Sequence, residues 1–146
     1  MIQLHICPDY ISRSLYRRLF RSLALVTDDS LLVYVPTHIV GYNFTRDALC
    51  EGVDVIYDSV LAKRHFLLPG LRNRVILERL KSISFDDQIR LVHSHFVGST
   101  GLSAVQFAEA KNALSIVTIR NTDYNDYFKT FFWRSTILKT LRAANL

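Results

Sequence analysis

The sequence predicts an α/β fold, a Rossmann-like and mostly parallel sheet with helices on both faces. Three observations predict it. Short apolar runs of strand length alternate with longer stretches of helical period. The run LLVYV (31–35) is almost continuously apolar, the pattern of a strand covered on both faces. The chain has 146 residues, 49% hydrophobic and 21% charged, enough for one packed domain over 1–146 that needs no disulfide.

Residues 2–7 (IQLHIC) read as the first strand, which Pro8 closes before Asp9 opens the next segment. Residues 11–25 read as an amphipathic helix. Leu15, Leu19 and Leu23 recur at i, i+4 and i+8, and Arg13, Arg17 and Arg21 form a parallel stripe that gives a basic outer surface. Asp28, Asp29 and Ser30 turn the chain into LLVYV, and Pro36 ends it. Residues 37–52 have no period and read as loop. VDVIYD (53–58) is the next strand. Residues 71–83 read as helix, because Ile76, Leu80 and Ile83 keep a helical spacing inside the strongly basic stretch from Lys63 to Lys81. IRLVHSHF (89–96) is a fourth strand. A loop over 97–100, entered through Gly98, leads to a helix over 101–112 with Leu102, Val105 and Ala108 inward. LSIVTIR (114–120) is a fifth strand. Residues 124–143 read as a last helix capped by Asn125 or Asp123, with Tyr127, Phe131, Leu138 and Leu141 on one face. In a doubly wound fold another strand should come next, so the sequence is expected to be a piece of something longer.

The net charge of +5 is compatible with nucleic acid, an anionic membrane, a phosphorylated ligand or a merely basic surface. No stacking platform or recognition helix is evident, so nucleic acid is not expected. Cys7 and Cys50 match no metal-ligand spacing. Cys7 is expected to pack as a small hydrophobe in a reducing compartment. No basic region followed by an apolar stretch opens the chain, and no apolar run approaches a membrane span.

Ligands of α/β sheets bind beyond the carboxyl ends of the strands, and three such ends carry polar residues here. The first holds Pro8, Asp9 and Tyr10, candidate substrate contacts. It is either an anion-facing helix start or a tight turn, and without glycines it is no phosphate-cradling loop. The second is VHSHFVGSTG (92–101). His93 and His95 point to one face of their strand. That spacing is a weak metal signal, and a buried hydrogen-bonded role competes with it. His95 is nearer the strand end and is the better functional candidate. Gly98, Ser99 and Thr100 would let a backbone approach a ligand. The third is VTIRNTDYN (117–125), where Arg120 leaves an otherwise apolar strand either to pair with Asp123 or to reach an anion. In the final helix Lys129, Phe132, Trp133 and Arg134 are aromatic and basic with no acid among them. They are candidates for contact with an anionic membrane or a partner, or for packing across the sheet.

The segment LVHSHFVGSTGLSAVQFAEAKNALSIVTIRNTDYN resembles the second half of the amino-terminal domain of family 4 glycosyltransferases of the GT-B fold. His93-Ser94-His95-Phe96 matches that family's strand-ending His-x-His-Phe-like motif. Thr118-Ile119-Arg120-Asn121-Thr122-Asp123 matches its later strand end. LYRRLFRSL, LLVYVP and LKTLRAANL resemble its first helix, second strand and closing segment. The resemblance implies an acceptor-side domain that works with a donor-binding domain of the same polypeptide. The full enzyme would transfer a sugar, with retention, from a UDP- or GDP-sugar to a saccharide or lipid-linked acceptor. It would need no cofactor or metal. Polysaccharide and cell-envelope synthesis would be its setting, in the cytoplasm at the inner face of the membrane. By this resemblance Arg120 and His95 are catalytic, and Gly98, Ser99, Thr100, Asn121, Thr122 and Asp123 bind substrate. Arg120 stands where many relatives have histidine; it cannot be a general base near neutral pH, but it can stabilise the departing diphosphate. Asn121 replaces the usual glycine. A non-catalytic interaction domain and a peripheral membrane module are the alternatives.

Overall fold

The structure is a computed structural model that describes residues 1–38, 45–85 and 88–145, with residues 45–50 described as backbone. Six strands form one sheet in the order β3-β4-β2-β1-β5-β6. They are β1 (Ile2–Ile6), β2 (Ser30–Pro36), β3 (Thr45–Cys50), β4 (Val53–Asp58), β5 (Ile89–Ser94) and β6 (Leu114–Val117). All neighbours pair parallel except β3, which lies antiparallel on β4. The sheet grows outward in both directions from β1, whose neighbours are β2 and β5. The switch point therefore lies between the carboxyl ends of β1 and β5.

Strand alternation divides the core in two. Leu4, Ile6, Leu32, Tyr34 and Ile56 meet the helices α3 (Pro69–Ser82) and α4 (Leu102–Ala110). Val33, Val35, Val55 and Tyr57 face the opposite way, toward α1 (Ser14–Ala24). Both faces of β2 are thus covered, which explains its unbroken apolar run. Ile76, Leu80 and Ile83 are buried as their spacing predicts.

Four expectations need correction. Part of 37–52, read as loop, is the edge strand β3; residues 39–44 lie outside the described residues. Its partner Val53 follows across a tight reversal at Gly52, whose φ of +77° suits glycine. An edge strand pairs on one side only, so it need not show a buried strand's period.

The first helix begins at Ser14, and its core face is Tyr16 and Phe20 rather than the leucine stripe. Leu15 and Leu19 are exposed and Leu23 is half-buried. Phe20 sets the rotation: its ring meets His5 at 4.9 Å and Tyr10 at 5.5 Å, filling the space above β1.

The 97–100 loop is a π-helical turn, Val97–Gly101, that runs directly into α4. In α4 itself Leu102 is only half-buried, and the core contacts come from Ala104, Val105, Phe107 and Ala108.

The last helix is interrupted. A π turn over Asp123–Tyr127, closed by the Phe128 N–H on the Asp123 carbonyl at 2.8 Å, ends at an extended Thr130, and α5 (Phe131–Ala143) starts afresh. The break resets the helical phase. Trp133, Thr136, Ile137 and Thr140 are therefore buried, while Phe131 is 81% exposed and Leu141 is also exposed. No helix among the described residues is long and apolar enough to cross a membrane.

Candidate functional site

The strand ends converge on a cleft of about 330 Å³ at the switch point. The segment after β1 supplies Pro8, Asp9, Ile11, Ser12 and Arg13. The end of β2 supplies Pro36, Thr37 and His38. Leu61, Phe66 (on the short α2, Arg64–Leu67) and Arg72 (on α3) form one wall. Phe96, Ser99, Thr122 and Tyr127 close the other. Of the residues the sequence singled out, Pro8, Asp9, Ser99 and Thr122 border this space.

The other predicted residues do not line it. Tyr10 is fully buried in the α1-side core. Thr100 is also fully buried, and its hydroxyl lies 2.7 Å from that of Ser94. Gly98 is buried and its N–H donates to Asp123 Oδ1 at 2.9 Å, so that amide is not free for a ligand. The second oxygen of Asp123 accepts the Arg120 N–H at 2.9 Å. Both carboxylate oxygens of Asp123 are thus engaged by backbone amides, and the side chain staples the segment after β6 to the π turn that leads into α4. Burial raises its carboxyl above the usual range, against the pull of these amides. Asn121 is exposed and bonds to Asn125.

Arg120 does not line the cleft. Its Nε donates to the His95 carbonyl at 3.3 Å, and its guanidinium lies 5.2 Å from the Tyr16 ring and 5.7 Å from that of Phe96, a cleft residue. It locks α1, the end of β5 and the end of β6 to one another through these contacts.

His95 is enclosed beneath the cleft rather than facing it. Its Nε2 lies 3.2 Å from His5 Nδ1, and its ring packs edge-on against Tyr16 and Phe20. His93 stacks on it at 4.2 Å and hydrogen-bonds Thr118. Register explains the cluster, since His5 of β1 sits directly beside His93 of β5. The sequence showed only the His93–His95 pair, because His5 joins through strand pairing. Burial lowers His5 to about 3, His93 to about 4 and His95 to about 2, with added repulsion from His93 at His5, from Arg120 at His93, and from His93, His5 and Arg120 at His95, so all three are neutral near pH 7. One ligand nitrogen from each lies within 4.8 Å of the others, a grouping that could hold a transition metal. His5 Nε2 is buried without a partner.

Arg72 was not singled out by sequence, yet a signal for it exists. It stands one turn before Ile76 on the same inward stripe, an arginine at a core position. The basic stretch from 63 to 81 is accordingly not a uniform surface. Arg72 is buried, and Arg79 pairs at 3.0 Å with buried Asp58, which also accepts the Tyr34 hydroxyl. Lys129, between the π turn and α5, and Phe132 and Arg134 of α5 are exposed, with the Arg134 guanidinium 5.2 Å over Phe128. Trp133, the fourth of these candidates, takes the packing alternative: it is buried and stacked on Tyr127 at 4.6 Å. Cys7 is a buried free thiol whose pKa burial raises, as its expected packing role requires. No protein-family model and no curated protein sequence matches this chain.

Proposed function

We propose that the domain is the acceptor-side half of a GT-B glycosyltransferase of the family 4 type, acting with a donor-binding half of the same polypeptide. The observation that carries this reading is the placement of the two resembling motifs. Residues 93–96 and 118–123 end neighbouring parallel strands, and both flank one cleft at the switch point. A sugar would pass from a UDP- or GDP-sugar to an acceptor hydroxyl, with negative charge developing on the departing diphosphate. Within this half, Asp9, Ser99 and Thr122 border the cleft and would orient acceptor hydroxyls. Arg120 and His95 would act from behind, holding Phe96 and the strand ends in place. Exposed Phe131 and Phe132, with Lys129 and Arg134 nearby, would rest on an anionic membrane that presents a lipid-linked acceptor.

The test is transfer of labelled sugar from UDP- and GDP-sugars by a longer chain carrying both halves. The 146-residue domain alone is expected to be inactive, and transfer by it alone would count against the reading. Arg120→Ala in the longer chain is expected to lose most turnover; an unchanged kcat would show that holding Phe96 and the strand ends in place does not matter to transfer. Co-sedimentation with anionic vesicles that is undiminished in Phe131→Ser/Phe132→Ser would remove the membrane contact.

A further inference from the structure

We propose that the cleft binds the phosphate group of a small anionic molecule, with the Arg72 guanidinium as its charge partner. Arg72 is only 4% exposed although it lines the cleft. Its Nε donates to the Ser99 carbonyl at 2.9 Å, and its guanidinium lies 5.0 Å from the Phe66 ring centre. These contacts orient the guanidinium plane but bring no negative charge. Among the described residues no carboxylate lies within ion-pair distance of Arg72, whereas the other cleft arginine, Arg13, pairs with Asp9 at 3.2 Å. A desolvated guanidinium without a counter-charge is costly to hold, so an incoming anion would gain what the fold leaves unmet.

Arg72 lines the cleft with donors to spare beyond its bond to Ser99. Among the described residues, the enclosed side-chain nitrogens that lack a partner are His5 Nε2 and His65 Nε2, so the Arg72 Nη groups are not sealed in the core. With Nε committed to Ser99, the Nη groups remain to donate to the oxygens of one anion. Thr122 and Tyr127, which carry hydroxyls, line the same space, as does Ser12, whose own hydroxyl donates to the Asp9 carbonyl at 3.2 Å. Donors spread around a guanidinium suit the additional oxygens of tetrahedral phosphate better than they suit a flat carboxylate. The inference deepens the proposed transfer reaction by naming a substrate group, and it rests on that reading only for its biological setting.

Trp133, the single tryptophan, stacks on cleft residue Tyr127 and so reports on the site. Inorganic phosphate and glucose 1-phosphate, titrated at constant ionic strength, are expected to change its emission saturably, and glucose is not. Arg72→Gln is expected to weaken binding at least tenfold. Arg74→Gln, whose exposed side chain pairs with Glu78, should leave it unchanged. Should Arg72→Gln fail to fold, Arg72→Lys and the rise in wild-type Tm in phosphate over equimolar chloride give the readout. Arg72-dependent retention on phosphatidic-acid but not phosphatidylcholine vesicles would identify a lipid headgroup as the source. Binding of glucose 1-phosphate alone would identify a soluble one. Absence of both, or equal weakening by Arg74→Gln, overturns the site. Phosphate binding without sugar transfer by the longer chain would remove the reaction and leave the site, and transfer without phosphate binding would do the reverse.

Discussion

The carboxylate of Asp123 accepts the backbone N–H of Gly98 at 2.9 Å, across 25 residues of sequence. Because its other oxygen holds the Arg120 N–H, one buried side chain fixes the two polar loops on the β5–β6 side of the cleft relative to each other. Asp123→Ala would leave two amides unpaired. A loss of about 2–4 kcal/mol is expected in urea unfolding, since each orphaned buried donor costs about 1–3 kcal/mol. A loss under about 0.5 kcal/mol would mean that the staple is not a stabilising contact.

The same contact needs a glycine at 98. A Cβ there would stand 2.7 Å from Asp123 Oδ1 and 2.9 Å from Tyr127 Cδ2. Gly98→Ala should therefore destabilise by about 1–3 kcal/mol through overpacking. Gly70, in the first turn of α3, has open space around it, so Gly70→Ala should stabilise by up to about 1 kcal/mol through helix propensity. Thermal melts of the two variants moving in the same direction would contradict this pair of expectations.

The rotation of α1 is equally open to measurement. Phe20→Ala removes a fully buried ring and should cost about 3–5 kcal/mol. Leu15→Lys, on the stripe that looks like the core face in sequence, should change stability by less than about 0.5 kcal/mol. The reverse order would place the leucine stripe inside.

The histidine cluster predicts acid sensitivity. His5 and His95 have folded pKa values lowered to about 3 and about 2, below the ordinary 6.5. Below pH 6.5 the unfolded chain therefore binds protons that the folded chain refuses, and stability falls as pH falls. At pH 5.5 each of these histidines should cost about 1 kcal/mol relative to pH 7.5. His95→Gln should lose its share of that dependence. Urea midpoints equal at pH 7.5 and 5.5 would show that the cluster is not held neutral.

Much of the architecture follows from local pattern. The apolar run LLVYV needs cover on both faces, the Ile76–Leu80–Ile83 spacing needs a helix facing the core, and strand-helix alternation needs a parallel sheet. Those properties belong to short segments, and the sequence settles them. What the tertiary structure decided depends on partners distant in the chain. His5 joins His93 and His95 only because β1 pairs with β5 in one register. The helix faces around Tyr16 and Trp133 follow the space that aromatic rings must fill and the break at Thr130 that resets the helical phase. Arg72 enters the cleft because the fold carries its core-facing position to a strand end, where Ser99 accepts from it. Periodicity tells which residues share a face; only packing, which weighs volume, charge and hydrogen bonds across the whole chain, tells what that face meets.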